Sequence, residues 1–381
     1  MILHELLSFE ILRLIWWVLI GVLLIGFAVS DGFDMGVGAL LPFVADRDAE
    51  REAVVHTIAP IWEGNQVWFI LGGGAIFAAW PALYALSFSG FYLAMFTILA
   101  ALILRPVAIK YRGQRPGTAW REGWDWALFI GSVVPAALFG LAVGNVLQGV
   151  PFHLTPDLLP VYEGGIWAKF FGLLNPFAIL CGAVSLAMLV LHGAGWLVVR
   201  TTGDIQTRAR RFGFWAGVIA IAGYAAGGLW LTQMQGFAFA VAPPHDGPSN
   251  PLLTQVVRSE SWMLAYAERP WILVAPVLGF AGLIGATAAI ITRRELLPIS
   301  LSKLGIMGVI SSVGLVMFPF IMPSSTHPDS SLTVWDSSST HFTLFVMLVA
   351  SVIFLPIILA YTAWVYSVIW GKVKPGDKES Y

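Results

Sequence analysis

Charge is scarce in this chain. Asp, Glu, Lys and Arg make up 11% of its 381 residues, where soluble domains carry about a quarter. Cysteine is nearly absent: Cys181 stands alone, which excludes an intrachain disulfide and any CxxC or CxxCH site. Histidine numbers seven, with no pair at metal-ligand spacing. The net charge of −1 supplies no long-range attraction for nucleic acid, and no short-period solenoid repeat is visible. Long polar stretches are few; the longest runs from Phe237 to Pro270 and holds Pro243, Pro244, Pro248 and Pro251. It reads as an ordered or semi-ordered surface loop. What remains is apolar: 58% of residues are hydrophobic, and mean hydropathy is +0.79. A soluble globular enzyme and a disordered regulator are both excluded.

A helix needs about 20 apolar residues to cross a bilayer. Nine candidates are found, at about 11–41, 54–80, 83–104, 124–147, 170–199, 212–235, 270–292, 304–322 and 342–371. The expected fold is an all-α integral membrane protein, with nine spans in helical bundles forming one polytopic domain over 1–381. The first apolar run continues past Gly26, too long for a signal-peptide core. Of the 21 Lys and Arg residues, 17 fall in alternate connections or the C-terminal tail and four (Arg13, Lys169, Arg258 and Arg269) on the opposite side. The positive-inside rule then puts the N-terminus outside and the C-terminus in the cytoplasm. Most tryptophans, such as Trp16, Trp17, Trp120 and Trp370, lie near expected boundaries, where interfacial belts account for them.

Carboxylates at membrane depth are costly, on the order of 3 kcal/mol each or more, so they need a partner or a job. Asp31 and Asp34 share one helix face within Asp31-Gly32-Phe33-Asp34-Met35-Gly36. A water-reached helix end with glycines for close packing is an equal reading. Glu63 lies in Pro60-Ile61-Trp62-Glu63-Gly64-Asn65-Gln66-Val67-Trp68. On a helix starting near Val54 it would sit about 14 Å along. Pro60 can open that helix locally, and the amides of Asn65 and Gln66 can hold water. A proton-relay position fits; a buried structural hydrogen bond is the ordinary alternative. Arg105, in Leu104-Arg105-Pro106, is expected to close its helix and to pair with Glu63 or with lipid phosphate. A snorkelling interface arginine fits equally well. Lys110, Arg112, Arg115 and Arg121 follow from the orientation rule. Only His56 and His192 fall within spans, and a bis-histidine haem needs two ligands facing each other. Met95, Met188 and Met317 read as packing. No metal or cofactor site is expected in this chain alone.

The motifs Gly26-Phe27-Ala28-Val29-Ser30-Asp31-Gly32-Phe33-Asp34-Met35-Gly36, Trp62-Glu63-Gly64-Asn65-Gln66-Val67-Trp68, Phe88-Ser89-Gly90-Phe91-Tyr92, Trp124-Asp125-Trp126, Gly144-Asn145 with Gln148-Gly149-Val150-Pro151-Phe152, and Met322-Pro323-Ser324-Ser325 occur in order along the chain. The whole strongly resembles subunit II of the cytochrome bd quinol oxidases. The resemblance implies a complex in the bacterial cytoplasmic (inner) membrane that oxidises quinol and reduces dioxygen to water. It implies two haems b and one haem d held by subunit I, and none bound by the present chain. The implied partners are subunit I, membrane lipid and quinone, with small accessory subunits left open and no nucleic acid. Residue by residue, Glu63 matches a position implicated in proton delivery, joined here by Asp34 and Asp31. Trp68 matches a tryptophan near the oxygen route, and Trp62 and Asp34 match motif residues near the subunit interface. Asn65, Gln66 and Arg105 are candidates for the same oxygen path or interface. Lys110 departs from relatives that carry a carboxylate there, which leaves the start of the proton path open. A proton-coupled secondary transporter, with Glu63 and Asp34 as coupling carboxylates, is the alternative.

Overall fold

The structure, a computed structural model, describes residues 6–376; His4 and Lys378 lie outside them. The first helix, α1 (Phe9–Val44), has 36 residues and is about 54 Å long, well beyond a bilayer core of about 30 Å. The Ser8 hydroxyl caps it, accepting from Ile11 N at 3.3 Å. Then follow α2 (Asp48–His56), α3 (Trp62–Ala79), α4 (Pro81–Gly90), α5 (Tyr92–Tyr111), α6 (Thr118–Gln148), α7 (Ile166–Gly172), α8 (Pro176–Arg200), α9 (Gly203–Leu231), α10 (Leu264–Glu268), α11 (Val274–Ile291), α12 (Leu296–Met317) and α13 (His341–Val368). Among the described residues, eight helices are long and apolar enough to span. A ninth span arises if α3 and α4, bent by 119° at their junction, are taken together.

Two expected spans are corrected. The helix anticipated over 54–80 is interrupted: α2 ends at His56, residues 57–61 form turns around Pro60, and α3 starts at Trp62. Proline supplies no backbone donor, so the helix does not run through it. The tight join near Trp80 and Pro81 is the 119° bend. Pro81 takes the first position of α4, where a missing N–H costs nothing. The span anticipated over 83–104 becomes α4, a break at Phe91, and α5, which continues through Arg105 and Pro106 to Tyr111.

α1 packs against α3, α6 and α8; α8 also meets α6, α9 and α12, and α11 lies on α12 and α9. The α1–α8 approach is very close at Gly36 and Gly193. A Cβ on Gly36 would stand 2.1 Å from the Leu189 carbonyl oxygen, so only glycine fits there. α13 is different, for it buries only Leu344.

The end opposite the basic connections carries three two-stranded antiparallel hairpins. They are β1 (Phe152–Leu154) with β2 (Pro160–Tyr162), β3 (Gly236–Val241) with β4 (Gln255–Ser259), and β5 (Phe320–Met322) with β6 (Leu332–Thr333). The proline-rich stretch after Phe237 thus contains a hairpin, and it is pinned down. The buried Arg13 guanidinium donates to Ser338 Oγ (2.9 Å), Gly247 O (3.0 Å) and Ser249 Oγ (2.9 Å), tying α1 to two loops. Of the four basic residues on this side, Arg13 is therefore structural.

Candidate functional site

Asp31, Asp34, Asn65 and Arg105 meet inside the chain. Each is at most 1% exposed. Asp31 and Asp34 lie three residues apart on α1 and face the same way. Arg105, from α5, grips Asp31 with both arms: Nη1 donates to Oδ2 and Nη2 to Oδ1, each at 2.8 Å. This fork-to-fork pairing matches the planes of guanidinium and carboxylate. It corrects the sequence expectation for Arg105: the residue pairs with Asp31 rather than with Glu63, and its burial removes it from lipid phosphate and from any outer surface. α6 lies close beside it. A Cβ on Gly131 would stand 2.7 Å from Ala101 O and 3.0 Å from Arg105 Cγ.

Asp34 is held differently. Its Oδ2 accepts from Asn65 Nδ2 at 2.8 Å, while its Oδ1 has no hydrogen-bond partner among the described residues. Asn65 Oδ1 in turn accepts from the Tyr366 hydroxyl of α13 at 2.7 Å. An open carboxylate oxygen in a buried site is a place where a proton or a water can bind. Asp31 lacks that freedom because both of its oxygens are taken by Arg105. The two carboxylates, alike in sequence, are chemically distinct in the fold.

Glu63 sits in the first turn of α3 and is exposed on the surface of this chain. It heads an exposed stripe at helical spacing, with Val67, Ile70, Gly74 and Phe77 below it. The 14 Å depth along an uninterrupted helix does not apply, because the helix begins at Trp62. Trp62 and Gln66 are half-buried. Trp68 is buried against α1, and a Cβ on Gly26 would stand 2.8 Å from its Cε3. Next along α3, Phe69 packs with Phe27 and Phe139, ring centroids 5.2 to 5.5 Å apart.

A second polar layer lies at the basic end. Asp125 of the Trp-Asp-Trp motif accepts from Arg112 Nε at 2.6 Å and Arg51 Nη1 at 3.1 Å, and Arg112 also reaches Asp48 at 2.7 Å. Arg121 pairs with Asp48. Glu50 accepts from Arg208 and from the Asp46 backbone N–H, each at 2.9 Å, and from Arg47. Burial alone would push the Glu50 carboxyl up, but the hydrogen bonds from Arg208, Asp46 and Arg47 outweigh it and hold the group at about 2. Arg112 and Arg121, read from sequence as orientation charges, are thus members of a clasp, whereas Lys110 is exposed on α5. Arg112 directly follows the end of α5, seven residues beyond Arg105, so the layers are about 10 Å apart. Buried Leu41, Ala108 and Leu128 belong to one apolar cluster in the interval.

Known proteins resemble the chain over its whole length. The family described as cytochrome bd terminal oxidase subunit II matches residues 12–369. The chain belongs to that family. It is 44% identical to cytochrome bd-I ubiquinol oxidase subunit 2 of Escherichia coli K12 over 377 residues, covering 98% of both chains. It is 46% identical to a probable cytochrome oxidase subunit 2 of Haemophilus influenzae, covering 96% of both. Identity to the Bacillus subtilis cytochrome bd ubiquinol oxidase subunit 2 is 29%, over 96% of this chain. In fold it is similar to a solved bd oxidase from Geobacillus thermodenitrificans, with TM-score 0.67, 12% identity, and coverage of 95% of this chain and 99% of that one. The chain is thus a subunit of a quinol oxidase and a multi-pass protein of the bacterial inner membrane.

Complexes of this family carry haem, so the potential ligands of this subunit need testing. His192, fully buried on α8, has both ring nitrogens engaged, Nδ1 with Ser302 Oγ at 2.7 Å and Nε2 with Val29 O at 2.9 Å. It could reach an iron only by giving up a buried bond. Met188 and Met317 are packed into apolar clusters, and Met95 lies against a third. Among the described residues no group of three or more His, Cys, Asp and Glu side chains could hold a metal ion. These side chains do not fit an axial haem site.

Sequence reasoning missed Tyr366 and the partnership of Asp31 with Arg105. The pair is separated by 74 positions and Tyr366 from Asn65 by 301. The residue types were legible, but no periodicity links such distant positions.

Proposed function

We propose that this chain is the non-haem subunit of its oxidase. The haems, two b and one d, lie on subunit I, where quinol is oxidised and dioxygen is reduced. The ligand chemistry of His192, Met188 and Met317 supports that placement. Reduction of dioxygen to water consumes protons, and this subunit borders the route that delivers them from the cytoplasmic side. Its N-terminus is outside and its C-terminus inside, as the basic connections favour.

The observation that carries the proton reading is the unsatisfied Oδ1 of Asp34, buried one helical step from a neutralised Asp31. Asp34 is the proton-holding group. The Asp31–Arg105 pair fixes α1 to α5 and supplies local charge, and it does not itself exchange protons. Glu63 completes the route at the chain surface. A carboxylate heading an apolar stripe is costly against lipid, which favours subunit I as the cover for that face of α3. Subunit I also fits the apolar surface of α13. Trp62 and Gln66 flank this face, and Trp68 with the Phe27, Phe69 and Phe139 rings forms the apolar ground through which oxygen passes. Family membership does not favour the transporter alternative.

The test uses the intact complex. Glu63→Gln and Asp34→Asn are expected each to slow oxygen consumption while haem absorption per complex stays unchanged. Normal turnover with intact haems in both variants refutes the proton route.

A further inference from the structure

The Asp34 site includes a group from the far end of the chain. We propose that Tyr366 is a positioning residue for Asp34, acting through Asn65. The inference rests on the reading of Asp34 as the proton-holding carboxylate. An asparagine amide has a donor end and an acceptor end of nearly the same shape, and its neighbours decide which way it points. Asn65 is buried between two of them: Asp34 Oδ2 at 2.8 Å and the Tyr366 hydroxyl at 2.7 Å. A hydroxyl donating to Asn65 Oδ1 turns the amide N–H towards Asp34. The chain of bonds therefore has a direction, Tyr366 to Asn65 to Asp34. It occupies one oxygen of Asp34 and leaves the other for the proton.

The Tyr366 ring is itself fixed. It stands edge-on to Phe33 (centroids 6.4 Å, 78°) and to Trp196 (6.1 Å, 82°). Those two rings are stacked on each other at 4.3 Å, and Trp196 Nε1 is anchored to Thr57 O at 3.2 Å. Phe33 is the residue before Asp34, so the box that holds the tyrosine is built on the same turn of α1 as the carboxylate. α13 buries only Leu344 fully, so a half-buried polar contact from its last turn is not a by-product of general packing. Asp31 and Arg105 are the other charged groups in the cluster, and they are paired to each other. Without the hydroxyl, Asn65 is free to turn its oxygen towards Asp34, which opposes the ionised carboxylate and leaves the amide without a fixed role.

The experiment is a double-mutant cycle on the purified complex, with Tyr366→Phe, Asn65→Leu and the pair, and Asp34→Asn as reference. Oxygen consumption, haem content and the infrared carbonyl band that disappears in Asp34→Asn are read together. Tyr366→Phe is expected to slow turnover by roughly fivefold to tenfold, the worth of one hydrogen bond between neutral groups. It should shift the Asp34 carbonyl band at unchanged haem content, and it should add nothing in the Asn65→Leu background. Because Asn65→Leu can fail to assemble, the band in the single Tyr366→Phe variant decides alone in that event. Unchanged turnover and an unmoved band in Tyr366→Phe, with Asp34→Asn impaired, overturns the inference and leaves the proton reading intact. So does loss of haem, or an equal penalty in both backgrounds, since either marks Tyr366 as merely structural. Full activity in Asp34→Asn removes the proton reading, and this inference with it.

Discussion

Arg105→Leu isolates the energetics of the buried cluster. In the native chain two 2.8 Å bonds join a guanidinium that is 1% exposed to a carboxylate that is fully buried. Removing the cation leaves Asp31 ionised without a counter-charge, beside Asp34. Residues three apart on a helix have Cβ atoms about 5–6 Å apart. At an effective dielectric of about 20, two negative charges at about 6 Å repel by about 3 kcal/mol. Breaking a buried pair by deleting one partner costs about 3–5 kcal/mol, and the two routes to the magnitude agree. The double variant Arg105→Leu with Asp31→Leu should recover most of that loss, because an apolar pair of similar volume removes the desolvation penalty. The assay is thermal unfolding of the detergent-solubilised complex, followed by haem absorbance and by retention of the assembled peak on gel filtration. Arg105→Leu is expected to lower the midpoint by several degrees and the double variant to restore it. A single variant as stable as the parent, or a double variant no better than the single, refutes the account of the pair.

Asp125→Asn withdraws the charge that gathers Arg112 and Arg51; it should destabilise the basic end by about 3 kcal/mol or more and make the 112–121 connection more sensitive to limited proteolysis. Glu50, held at about 2 against an ordinary 4.5, contributes its full stabilisation above about pH 4.5 and loses it as pH falls towards 2. The thermal-midpoint gap between the parent and Glu50→Gln should therefore narrow over that acid range; a gap independent of pH would contradict it. Trp68→Ala removes a buried ring, a change worth about 3–5 kcal/mol in a core. It should alter the oxygen on-rate in flash photolysis more than quinol oxidation, whereas equal effects would indicate simple loosening.

Most of the long helices were legible in the sequence, because hydropathy acts locally. The cost of burying charge singled out Asp31 and Asp34 before any partner was known. What the chain order hid was which helices meet. From sequence, Glu63, lipid phosphate and a snorkelling interface position all suit Arg105, yet α3 starts only at Trp62 with Glu63 on the surface, and α1 brings Asp31 to the arginine. The hairpin after Phe237 was hidden because strands of five or six residues beside prolines leave a faint period-two pattern. Tyr366, near the end of a largely apolar helix, carried no local signal of its role.

The oily interval at Leu41, Ala108 and Leu128 has a consequence for how the inner charges feel the medium. It works as a gasket between two charged decks, one open to water at Asp48 and Arg121 and one sealed in the protein. Ions drawn to the arginines of the lower deck gain no shortcut upward along α5 and α6, so the charges around Asp31 stay insulated from dissolved salt.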